Sequence, residues 1–179
     1  SDAYDDFPEG EHYLQLSQTE KDMVDMVCDN FDDVIVIYNG ANQFELGFTD
    51  EYPQIKSVVW CPGTGNVGFN ALGKVFSGEV NPSGKTPDTF IYDMTTAPWW
   101  NNGEKIEYTN LADMAVEGMN AGSPQVYAPA FTNYVEGIYV GYKYYETAAQ
   151  EGFIDYDKTV QYPFGYGLSY TEFEQKMGE

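Results

Sequence analysis

Positive charge is scarce in this chain. Eight Lys and Arg stand against 29 Asp and Glu, a formal net charge of -21. Neutralising phosphates takes an excess of Lys and Arg, so nucleic acid and anionic membrane are excluded as partners. The acids are scattered rather than run together, so they serve solubility and do not form an acidic tail. Histidine is rarer still: His12 is the one in the sequence. It lies in a polar, irregular lead-in, which argues against a Ser-His-Asp or Cys-His catalytic apparatus. The two cysteines, Cys28 and Cys61, lack C-x-x-C spacing, and with one histidine no zinc site can be assembled. They read as buried free thiols suited to a reducing compartment or an oxygen-poor habitat. That slightly favours the cytoplasm and leaves an extracellular parent open. No apolar run reaches the length of about 18 residues that a membrane-spanning helix needs. The opening Ser1-Asp2-Ala3-Tyr4-Asp5-Asp6 is acidic and is not a signal peptide. So abrupt a start points to a piece of a longer protein.

What is present supports one domain. The chain has 179 residues, 42% of them hydrophobic, enough for a core. Aromatics make up 17%, with 16 Tyr and three Trp. Such rings stack on sugars and bases, but most here should pack with the hydroxyl at the surface. Residues 1–16 read as an irregular lead-in. Ser17-Gln18-Thr19-Glu20 is a capping box. Met23, Val24, Val27 and Phe31 then form one helical stripe, predicting a helix over 18–30. Val34–Tyr38 (VIVIY) is a β-branched run closed by a Tyr and reads as a central parallel strand covered on both faces. A short helix is expected near 44–48, a second strand at 57–61, and a helix at 67–76. The turn Asn81-Pro82-Ser83-Gly84 carries a type I signature. Thr89–Tyr92 reads as a third strand. A weak helical patch follows near 111–119, and extended structure is expected within 126–145.

The centre of this pattern is Ser57–Gly84. It contains a literal G-x-G-x-x-G in Gly63, Gly65 and Gly68, after a strand and before a helix, with Asp93 as a candidate ribose-binding acid. A nucleotide-binding α/β domain is therefore one reading. Pro62 where the strand should run into the glycine, a short helix, and a connection full of turn residues count against it. A Walker phosphate loop fails, because Gly73-Lys74 is followed by Val75.

Three stretches, in this order and spacing, carry a resemblance. They are the CPGTG…NALGKVFSGEVNPSGKTPDTF course within Ser57–Phe90, YVEGIYVGYKYY at Tyr134–Tyr145, and YPFGYGLSY at Tyr162–Tyr170. Together they resemble the C-terminal α/β-sandwich domain of glycoside hydrolase family 3, the β-glucosidase family. The resemblance implies a three-layer α/β/α sandwich with a mostly parallel sheet, present as a partial domain. It places the lead-in at 1–16, the domain at 17–173 and a tail at 174–179.

It also implies retaining hydrolysis of terminal β-linked sugars by two carboxyl groups, without a cofactor or metal. The nucleophile of such enzymes is an Asp on a separate TIM-like barrel. That barrel is not encoded here, so the chain alone is expected to be inactive. The partners implied are a β-glucoside or oligosaccharide substrate and the parent's own barrel. The acid/base would be a Glu shortly before the first helix: Glu9, or a Glu upstream of Ser1. Trp60 and Gly63, at the strand edge, and Trp99 and Trp100, in the later loop, are the candidate sugar-contacting residues. Glu136 and Tyr139 read as structural, the motif around them stitching the last strand into the sheet. Tyr166 and Tyr170 read as packing at the domain's end. A carbohydrate-binding scaffold module remains the third reading.

Overall fold

A computed structural model describes residues 10–100, 110–120, 122–127, 134–172, 174 and 176–178. The first helix, α1 (Gln18–Asn30), begins where the capping box places it. The Glu20 amide donates to Ser17 Oγ at 3.4 Å, and the Ser17 amide donates to Glu20 Oε2 at 2.8 Å. Two of the amides left over at a helix start are thereby satisfied. Strand β1 (Val34–Tyr38) follows after a three-residue turn and pairs in parallel with β2 (Ile55–Trp60). The segment between them is mostly irregular. Instead of the helix expected at 44–48, it forms a single 3-10 turn at Gly47–Asp50, closed by the Thr49 hydroxyl donating to the Leu46 carbonyl.

Helix α2 (Phe69–Phe76) follows the glycine loop, and β3 is only Phe90–Ile91. A short helix α3 (Leu111–Met114) leads into a hairpin of β4 (Val116–Asn120) and β5 (Ser123–Tyr127). Helices α4 (Tyr142–Gln150) and α5 (Tyr156–Thr159) precede β6 (Val160–Tyr162), which pairs antiparallel with β3. The described strands thus make one parallel and two antiparallel pairs within an α/β chain.

Extended structure expected within 126–145 is found at Val126–Tyr127, in β5, whereas YVEGIYVGYKYY, expected to stitch the last strand into the sheet, is a turn that enters a helix. Its β-branched and aromatic residues favour extended backbone. But Gly137 and Gly141 take positive φ, of 56° and 62°, which breaks the run and starts α4. The helix then buries Tyr145 and Ala148.

The buried core lies away from the parallel pair. Leu14 of the lead-in, Ile91, Met94, Ala97, Tyr145 and Val160 form one cluster, with Trp99 and Trp100 packed against it. No residue of β1 or β2 is fully buried, and Ile35 and Ile37 are 52% and 44% exposed. The expectation of a strand covered on both faces is therefore not met by the residues described.

Two of the motifs that carried the resemblance meet in space. Asn81 Oδ1 accepts from Ser169 Oγ at 2.8 Å and from the Tyr170 amide at 2.9 Å, while its Nδ2 donates to Thr171 Oγ1. Thr86 Oγ1 donates to the Pro163 carbonyl at 2.7 Å and accepts from the Tyr166 amide at 3.0 Å. The Thr86 amide donates to the Tyr166 carbonyl, and the Gly165 amide to the Thr86 carbonyl. Lys85 Nζ reaches the Gly167 carbonyl. The NPSGKT and YPFGYGLSYT stretches are two sides of one hydrogen-bonded clasp.

Candidate functional site

The carboxyl ends of β1 and β2 come together, as a parallel pair requires. Cys61 donates its amide to the Tyr38 carbonyl at 2.9 Å. Asn39 Nδ2 donates to the Cys61 carbonyl at 2.6 Å, and Trp60 Nε1 donates to the Gly40 carbonyl at 2.7 Å. Each strand end is thus tied to the other by a side chain. Trp60 also sets its ring edge-on to Phe90, with centroids 5.1 Å apart. Its indole N–H is spent on Gly40, so what it could offer a ligand is ring surface.

Beyond Pro62 the chain turns sharply. Gly63 and Gly65 hold φ of 56° and 60°, a region that side chains disfavour. A Cβ at Gly68 would collide with the Thr64 carbonyl oxygen, which accepts the Gly68 amide. A phosphate cradle needs free amides at the helix start. Here the Gly68, Asn70 and Ala71 amides bond to Thr64, Val67 and Gly68 carbonyls. Asp93 caps the 3-10 turn Met94–Thr96, accepting from the Thr95 amide at 2.9 Å and from Thr95 Oγ1 at 2.6 Å. The strand before it, β3, pairs with β6 and not with β2. The Gly68, Asn70 and Ala71 amides at the helix start are thus already spent on carbonyls.

The second candidate pair, Trp99 and Trp100, sits against the lead-in. Their rings lie 6.1 Å apart, and Trp100 meets His12 edge-on at 4.7 Å. His12 Nε2 lies 3.2 Å from Glu45 Oε1, with side chains only 9% and 15% exposed. The Leu14 amide donates to His12 Nδ1 at 3.2 Å, so the ring carries its proton on Nε2 and donates it to Glu45. The Met94 amide donates to the same Glu45 oxygen at 2.6 Å. Burial pushes the Glu45 carboxyl above its ordinary range, while the Met94 amide and His12 pull it partly back. This knot binds the lead-in, the 43–46 segment and the start of the Met94 turn together.

Among the candidates, the structure brings Trp99 and Trp100 to the lead-in, and Trp60 and Gly63 to the edge of the parallel pair. Glu9 lies outside the described residues. Sequence reasoning passed over Glu45 and treated His12 as a bystander. The only hint was His12 itself, a lone imidazole near buried-type residues Tyr13 and Leu14. Among the described residues no group of His, Cys, Asp and Glu is placed to hold a metal ion. No described helix is long and apolar enough to cross a membrane.

Known proteins place this arrangement. The chain is 35% identical over 161 residues to a beta-glucosidase of Ruminococcus albus, covering 89% of this chain and 14% of that protein. It is 36% identical over 169 residues to beta-glucosidase A of Butyrivibrio fibrisolvens, covering 93% and 17%. The solved structure of a beta-glucosidase from Paenibacillus barengoltzii superposes with a TM-score of 0.66 at 29% identity, over 92% of this chain and 15% of that one. The chain thus spans less than a fifth of each relative it matches. The profile of the glycosyl hydrolase family 3 C-terminal domain matches residues 2–142, and the chain belongs to that family.

Proposed function

We propose that the chain is part of a retaining β-glycosidase that hydrolyses terminal β-linked glucosides, and that it forms one wall of the sugar cleft. The observation that carries this reading is kinship with two bacterial beta-glucosidases along about nine-tenths of the chain. Residues 17–173 are the domain proper, 1–16 the lead-in and 174–179 a tail. The nucleophile comes from a TIM-like barrel elsewhere in the parent. The general acid/base is Glu9 or a Glu upstream of Ser1, delivered by the lead-in that the His12–Glu45 knot holds in place. Trp60 and Gly63 at the strand edge, and Trp99 and Trp100 beside the lead-in, border the sugar site. Ligands of parallel α/β sheets bind outside the carboxyl ends of strands, which is where Trp60 and Gly63 lie.

In a retaining cycle one carboxylate attacks the anomeric carbon while a carboxylic acid protonates the leaving oxygen. The same acid, now a base, then activates water. Two inversions leave the configuration unchanged. The parent protein should therefore release the sugar from an aryl β-glucoside as the β-anomer, seen by NMR within the first minutes. Release of the α-anomer, or no hydrolysis, would refute this reading.

A further inference from the structure

The lead-in is held at two points, and both belong to one polar knot. The Leu14 carbonyl accepts from the Glu45 amide at 2.7 Å. Two residues earlier, His12 Nε2 lies 3.2 Å from Glu45 Oε1. One contact fixes where a chain passes, and a second fixes the direction in which it runs. The imidazole is the strut between them. Its Nδ1 accepts from the Leu14 amide at 3.2 Å, which ties the ring to the lead-in's own backbone. Its Nε2–H is tied to Glu45, and Glu45 Oε1 accepts from the Met94 amide at 2.6 Å. Met94 is fully buried at the start of its 3-10 turn. Trp100 meets the ring edge-on and limits its tilt. A continuous series of contacts thus runs from the core to the backbone at His12.

Anchoring alone does not need this pair. Leu14 already lies in the apolar core with Ile91, Met94, Ala97, Tyr145 and Val160. Setting an imidazole and a carboxyl beside it costs desolvation that an apolar pair would not. What the polar pair adds is direction, because hydrogen bonds are directional and apolar contacts are not. Upstream the chain leaves through Gly10, with φ of 92° and open space where a Cβ would stand. Glu9 precedes His12 by three residues, at most about 11 Å of extended chain. An acid farther upstream is reached through the same point. A general acid has to come within hydrogen-bond reach of the leaving oxygen, and a misplacement of about 1 Å can cost about 100-fold in rate. We propose that His12 and Glu45 are positioning residues for the general acid/base, setting the direction from which the lead-in brings that carboxyl to the leaving oxygen. The inference rests on the glycosidase reading, in which the acid/base is Glu9 or a Glu upstream of Ser1.

The test is the dependence on the leaving group, measured on the full-length parent. A phenyl β-glucoside needs its leaving oxygen protonated, and a dinitrophenyl β-glucoside hardly does. In His12→Ala and in Glu45→Ala, kcat/KM on the phenyl glucoside should fall at least about tenfold, a share of the roughly 10²–10⁴-fold that a general acid supplies. On the dinitrophenyl glucoside it should fall less than about twofold. The double variant should lose no more than either single one, because the two residues act as one unit. Glu45→Gln keeps an oxygen for both donors and should stay within about threefold of wild type. Equal loss on the two substrates means that the knot serves folding alone, and overturns the proposal. So does an undiminished rate on the phenyl glucoside, or a Glu45→Gln variant as impaired as Glu45→Ala. A wild-type parent inert on both glucosides sinks the glycosidase reading and this inference with it. An active parent whose variants show no split between the substrates sinks this inference alone.

Discussion

Single residues here are set by partners distant in sequence. Glu45 is the clearest case, an acid largely buried between an imidazole and a backbone amide. Because burial raises its pKa, the folded state holds its proton more tightly than the unfolded chain does. Its contribution is greatest at low pH and is lost as pH rises through the folded value. Glu45→Gln should flatten that part of the pH–stability curve. Glu45→Ala should cost about 1–3 kcal/mol in denaturant unfolding, because His12 Nε2–H and the Met94 amide lose their acceptor. An unchanged midpoint in Glu45→Ala would mean that the knot holds nothing.

Tyrosines give a second residue-scale signature. Tyr52 donates to Asp25 at 2.5 Å and Tyr92 to Asp50 at 2.8 Å, and these bonds, with burial, push both phenols up to about 12. Burial first, then its bond to Glu146, does the same for Tyr156. Raised phenols add stability that is complete below the ordinary value of 10.0 and lost as pH climbs through about 12. Ultraviolet titration should show a late tyrosine phase near pH 12, reduced in Tyr52→Phe. A single phase near pH 10 would contradict these contacts.

At the scale of elements, the clasp between residues 81–86 and 163–171 ties the turn after α2 to the segment after β6. Asn81→Ala removes three hydrogen bonds at an exposed site, for an expected loss of roughly 1–2 kcal/mol. The variant should also lose the segment after Pro163 faster in limited proteolysis. Equal cleavage rates would show that the clasp does not hold this end.

What the sequence disclosed follows the reach of each interaction. Helix α1 was legible to the residue, because a capping box and an apolar stripe are local. Strand β1 was legible because five β-branched or aromatic residues in a row leave little choice. The YVEGIYVGYKYY stretch was misread because tertiary burial of Tyr145 and Ala148 overrides the local preference. The clasp was half visible: both turns could be seen, but not that they meet across separations of 77 to 90 residues. His12 and Glu45 were invisible as a pair, since nothing local links positions 33 residues apart. Of the site candidates, the strand-edge residues followed from chain order. The contact of Trp100 with the lead-in did not.

For the whole molecule, the exposure pattern and the kinship agree. The parallel pair shows apolar side chains to solvent, and α2 leaves Phe69 and Phe76 52% and 41% exposed. Surfaces of this kind mark contact with more protein. They fit a domain whose sheet and cleft are completed by the parent chain. Retaining hydrolysis needs a nucleophile and an acid/base on either side of one bond. In this account the chain supplies at most the acid/base and some of the cleft wall. The decisive measurement is turnover of an aryl β-glucoside by the 179-residue chain beside its full-length parent, at equal concentration. The account predicts hydrolysis by the parent and a rate at the buffer level for the chain alone. Turnover by the chain alone, well above buffer, would contradict it.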